Sequence, residues 1–127
     1  MLSLLCGTRF DRVKEFCRRY ESDGIVWFLE ACDLSPVAMR RAYWQLEEAG
    51  WFDTARGFII GRPYFFNAES FGLDRISAAL PVLEKYHVPV VMDADVGHLP
   101  PMMPLICGAL GNVRAEKGSL IIEHRLV

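Results

Sequence analysis

From Gly24 to Leu29 the chain reads Gly-Ile-Val-Trp-Phe-Leu, with no charge in it, and then stops on Glu30. A continuous apolar, β-branched and aromatic run of this length is the pattern of a strand covered on both faces, as in a parallel sheet. Two shorter runs repeat the pattern, Phe58-Ile59-Ile60-Gly61 and Val88-Pro89-Val90-Val91-Met92-Asp93. Helical spacing fills the intervals. Ser35 is placed to cap a helix whose first position is Pro36, where a missing N–H costs nothing, and Gly50 supplies a left-handed stop. Leu34, Ala38, Ala42, Leu46 and Ala49 share one face of that helix. A later stripe of Leu73, Ile76, Leu80, Leu83 and His87 predicts a second helix, with Pro81 kinking it or splitting it in two. Upstream, Phe10, Val13, Phe16, Cys17 and Tyr20 predict a short helix over residues 10–21, ended by the turn Ser22-Asp23-Gly24. Downstream, residues 94–101 read as a loop. The tail reads as a hairpin, with strands at 109–114 and 120–125 about a turn at Glu116-Lys117-Gly118. The order predicts an α/β fold, a small mixed β-sheet flanked by helices with a C-terminal hairpin, as a single domain over residues 1–127.

Hydrophobic residues are 52% of the chain, enough for a real core, and 24% charged residues argue against disorder. Fourteen Lys and Arg against sixteen Asp and Glu leave a net charge of −2. That balance gives no electrostatic reason to expect a nucleic acid or an anionic membrane as partner. The apolar opening, Met1 to Gly7, lacks a basic flank and is too short for a signal peptide, and no window approaches a membrane span. The expectation is a cytoplasmic protein with reduced thiols. Cys6, Cys17, Cys32 and Cys107 contain no CxxC and match no zinc module, so neither a metal nor a cofactor is expected.

Two residues carry the candidate chemistry. Glu30 closes the first apolar run, and His98 lies in the loop after the third. Ligands of α/β sheets gather outside the carboxyl ends of strands, where loops project groups from a rigid frame. A carboxylate and an imidazole meeting there form the orienting half of a hydrolytic triad. The bland alternatives are a first solvated residue for Glu30 and a backbone-bonding loop residue for His98. His87, on a helix stripe, and His124, in an exposed strand, read as structural. Trp27, Trp44 and Trp51 lie in or beside apolar elements and read as core, the alternative being an exposed binding patch.

The stretch Gly24 to Glu30 resembles the strand ending in Leu-Glu of the LD-carboxypeptidases, a family that includes the microcin C self-immunity proteins. The similarity continues through Gln45-Leu46, residues 49–53 and residues 57–62, and resumes at 88–90, at Asp95-Val96-Gly97-His98, and at Pro104-Leu105 with Gly108. Leu4-Leu5-Cys6-Gly7-Thr8 resembles the segment just before this region. The resemblance implies a swivelling-type C-terminal domain of a serine peptidase that acts on an L,D peptide bond of murein peptides. It implies that Glu30 and His98 are the Glu and His of a Ser-Glu-His triad, the serine and the oxyanion amides coming from an N-terminal domain. Family members often carry an acidic residue directly after the Glu, where this chain has Ala31-Cys32 before Asp33. Arg62 is a candidate to bind a substrate carboxylate.

No serine here sits in an activated context, and there is no Gly-x-Ser-x-Gly elbow. Ser3 lies in the apolar opening, Ser22 in a turn, Ser35 at a cap, Ser70 and Ser77 on or before a helix, and Ser119 at the last strand. The expectation is therefore the C-terminal half of a two-domain peptidase, inactive without its nucleophile domain. Its partners would be that domain and a murein tetrapeptide or related peptide. An apolar face left where the domain docks gives a possible homodimer. The alternative is a non-enzymatic binding or interaction module that keeps the fold.

Overall fold

In the computed structural model, which describes residues 2–126, β1 (Ile25–Leu29), β2 (Ala55–Gly61) and β3 (Val90–Ala94) form a parallel sheet in that order. Their side chains alternate between two layers, which is why each run looks uniformly apolar. Trp27 and Leu29, Phe58 and Ile60, and Val90 and Met92 face one layer with α2 (Pro36–Glu48) and α3 (Arg75–Leu83). Phe28, Ile59 and Val91 face the other, against Met103, Leu105 and three hairpin residues, Val113, Leu120 and Ile122.

The hairpin, β4 (Leu110–Glu116) and β5 (Ser119–Arg125), turns through Lys117 at φ +48 and Gly118 at φ +80, the primed geometry that matches strand twist. Among the described residues it pairs only with itself, so parallel and antiparallel strands form two packed sheets and no single mixed one. The cause is its alternation. Leu120, Ile122 and His124 point inward from β5, and covering that stripe needs a sheet face, which an edge does not offer.

Helix α2 starts as expected, with the Ser35 Oγ accepting from the Ala38 N–H at 3.3 Å. At its end, Gly50 N–H donates to Glu47 O and Trp51 N–H to Leu46 O, with Gly50 at φ +71. Its buried face is Met39, Tyr43 and Leu46, rotated from the stripe expected through Ala38 and Ala42, because the larger side chains remove more apolar area from water. Trp44, one residue round from Tyr43, is consequently 55% exposed, while Trp51 is fully buried and stacks on Trp27.

Pro81 does not split α3; the helix runs on past it to Leu83 and ends in a 3-10 turn, Glu84–Tyr86. Proline removes the N–H that Ser77 O would accept. Arg40 of α2 replaces it, donating to Ser77 O and, at 2.8 Å, to Ala78 O. The face of α3 that is buried is Ala78, Ala79, Val82 and Leu83, with His87 beyond the helix at φ +52 and exposed. The first helix, α1 (Val13–Arg19), is shorter than the expected 10–21, because Asp11 instead accepts from the N–H groups of Gly7 and Val13 and from the Trp51 indole. All four cysteines are free thiols. Among the described residues no helix is long and apolar enough to cross a membrane.

Candidate functional site

Glu30 follows β1 directly, and its side chain is 12% exposed. Two residues on, Cys32 adopts a left-handed backbone, φ +44, which curls the chain back so that its N–H donates to Glu30 Oε1 at 2.8 Å. The Cys32 carbonyl accepts from the Tyr64 N–H at 2.7 Å, tying this turn to the exit of β2. The other carboxylate oxygen, Oε2, lies 3.0 Å from His98 Nδ1. The two residues are brought together across 68 positions of sequence. The His98 side chain is 63% exposed, with Nε2 left for another partner.

Neighbouring backbone and side chains make this approach possible. Gly97 sits at φ +114, and a Cβ there would stand 2.3 Å from Glu30 Cγ. A Cβ on Gly61 would meet the Val96 carbonyl oxygen at 2.2 Å. Arg62, the candidate for a substrate carboxylate, is engaged within the chain. Its guanidinium meets Asp95 Oδ1 at 2.8 Å and donates to the carbonyls of Leu99 at 3.0 Å and Pro101 at 2.7 Å. It therefore clasps the loop that carries His98 on both sides of that residue. Asp33 is exposed. Neither Gly97 nor the Arg62 clasp has a signal in local spacing beyond the loop-forming glycine itself.

Two further groups surround the strand ends. Asp93, at φ +57 in β3, forms a two-pronged ion pair with Arg75 at 2.7 Å, and Arg75 also lies 3.8 Å over the Phe66 ring. Hydrogen bonding to Asp93 raises the Arg75 pKa above its ordinary value, outweighing burial. Tyr43 is buried in α2; burial first, and the charge of Glu30 second, push its ionisation well upward, so it stays a neutral phenol. A cleft of ≈ 200 Å³ lined by Phe16, Phe28, Ile59, Ile122 and His124, among others, contains neither Glu30 nor His98. His124, expected on an exposed strand, is half-buried there.

A half-buried carboxylate hydrogen-bonded to one nitrogen of an accessible imidazole can hold that ring in one tautomer and stabilise its protonated form. Fold and pair define a class: an α/β domain presenting a carboxylate and an imidazole beyond the carboxyl ends of a parallel sheet. Within that class, the chain belongs to the LD-carboxypeptidase C-terminal domain family, whose model matches residues 1–113. The crystal structure of muramoyltetrapeptide carboxypeptidase from Oxalobacter formigenes is similar in fold, with a TM-score of 0.75 at 20% identity over 98% of this chain. The chain spans 41% of the length of that protein. No curated protein matches the sequence significantly.

Proposed function

We propose that this chain is the C-terminal catalytic part of a serine-type LD-carboxypeptidase that hydrolyses an L,D peptide bond of murein peptides in the cytoplasm. Membership of a carboxypeptidase-type hydrolase family supports the class. The observation that carries the mechanism is the 3.0 Å contact between Glu30 Oε2 and His98 Nδ1, on a ring whose other nitrogen is accessible.

In this reading Glu30 accepts a hydrogen bond from Nδ1–H and so keeps Nε2 unprotonated. Nε2 takes the proton of a serine hydroxyl as that oxygen attacks the peptide carbonyl, then returns it to the departing amine. Between the two steps Glu30 stabilises the imidazolium. The serine and the oxyanion amides belong to a nucleophile domain that docks over the pair. Tyr64 and Phe65, packed ring to ring at 5.4 Å yet 57% and 52% exposed beside the Cys32 turn, support that face as the docking surface. By itself the chain holds half of the catalytic set and hydrolyses nothing.

Joined to a nucleophile domain of the family, the chain is expected to release the terminal D-residue of a murein tetrapeptide. His98→Ala is then expected to lower kcat by roughly a thousandfold or more, as loss of a triad member does elsewhere. Near-normal turnover by that variant removes His98 from the mechanism. A folded fusion that never turns over substrate returns the chain to the alternative, a binding module with the peptidase fold.

A further inference from the structure

The Glu30–His98 pair has a third neighbour. The left-handed turn at Cys32 brings its Sγ, a Glu30 carboxylate oxygen and a His98 ring nitrogen all within 4.8 Å of one another. Sulfur, nitrogen and oxygen this near to one another are a donor set for a borderline-soft divalent cation. Zinc bonds thiolate at about 2.3 Å and imidazole or carboxylate at about 2.0–2.2 Å, which sets tetrahedral donors roughly 3.5 Å apart. Oε2 and Nδ1 are already 3.0 Å apart, and the exposed His98 ring can rotate to open that gap while the thiol closes its own. The thiolate discriminates against magnesium and calcium, which prefer oxygen donors throughout.

The surroundings are ordered as a metal site requires. The Cys32 N–H orients the carboxylate through Oε1 at 2.8 Å, and the Tyr64 N–H holds the Cys32 carbonyl at 2.7 Å. The accessible His98 side gives the ion an entry path and leaves one coordination position for water. Positive φ is uncommon for a residue other than glycine, and here it accompanies the close approach of Cys32 to the other two donors.

We propose that Glu30, Cys32 and His98 bind one thiophilic divalent cation of the zinc type. On binding, the Cys32 thiol releases its proton to solvent as the metal–sulfur bond forms, and no electron is transferred. His98 coordinates through Nδ1, so its remaining proton moves to Nε2 and its hydrogen bond to Glu30 is lost. The ion therefore switches off the base proposed above; this consequence rests on the triad reading, whereas the binding does not.

The test is a titration of the reduced 127-residue chain with zinc, followed by calorimetry, and with cobalt(II), followed by its thiolate charge-transfer absorption. One equivalent of metal and a charge-transfer band are expected. Cys32→Ser, close to isosteric, should abolish the band and weaken zinc binding by roughly tenfold or more, and His98→Ala should weaken it comparably. Cys107→Ser should change neither, and circular dichroism checks that each variant is folded. A band that follows Cys107, binding untouched by Cys32→Ser, or no binding at millimolar zinc overturns the site. No substrate enters these measurements, so they decide the metal site even where the peptidase reading fails its own test.

Discussion

A β-carbon at position 97 would overlap Glu30, 2.3 Å from Cγ and 2.6 Å from Cδ, on a backbone already at φ +114. Gly97→Ala is therefore expected to lower unfolding free energy by about 2 kcal/mol or more, since it adds a steric overlap to a strained conformation. Gly108 is the comparison: its φ is +78, but nothing lies within 4 Å of a Cβ there. Gly108→Ala should cost about 1 kcal/mol, for backbone strain alone. Equal losses in urea unfolding would mean that the Glu30 contact contributes nothing. Sequence reading reaches Glu30 and His98 because Glu30 closes an apolar run, where a charge is conspicuous, and His98 lies in the loop that follows another. It passes over Cys32 because metal spacing is sought locally, whereas this cluster closes across 68 residues. It does not reach the partners of Arg62 for the same reason, since the loop whose Asp95, Leu99 and Pro101 engage the guanidinium returns to it only in the fold.

Helices α2 and α3 depend on each other through one side chain. Removing the Arg40 guanidinium leaves Ser77 O without a donor and takes a side-chain donor from Ala78 O, and Arg40→Met is expected to cost about 2 kcal/mol in thermal or urea unfolding. Pro81→Ala restores a backbone N–H for Ser77 O, so it should recover part of that loss in the Arg40→Met background; a strictly additive double variant would refute the compensation. Ser35→Ala, which removes the α2 cap, should cost about 1 kcal/mol. At the start of α3, Asp74 accepts from the Ser77 hydroxyl at 2.6 Å and from its N–H at 2.7 Å, and these bonds hold its carboxyl below its ordinary value. A lowered folded pKa means stability present above the usual carboxylate range and lost as pH falls through the lowered value. The chain should thus lose stability below about pH 4, and Asp74→Asn should flatten that acid limb. An unchanged limb would discount the cap. The Ser35 cap is legible in sequence because capping is local. The buried face of each helix is less so, because its rotation is set by what the sheet offers opposite it.

Across the whole molecule the sheet is the middle layer, with helices on one side and the hairpin on the other. The helical side is the tighter one. Phe52 is fully buried with edge-on contacts to Trp27, Phe58 and Tyr86, so Phe52→Ala is expected to cost about 3–5 kcal/mol. Ile122, only half-buried between hairpin and sheet, should cost about 1–2 kcal/mol as Ile122→Ala, a smaller loss because less area leaves the solvent. Equal losses in urea would show the two layers to be equally packed. The sequence by itself determined the order of strands and helices, the start and stop of α2, and the two residues of the candidate pair. Those depend on run length, caps and charges at run ends, all readable within a few neighbours. Only the tertiary structure decided that the hairpin forms its own sheet, that Arg40 answers for Pro81, that Arg62 clasps the His98 loop, and that Cys32 joins Glu30 and His98. Each of these needs a donor or an apolar face matched to one far along the chain, and such matches exist only once the layers have closed.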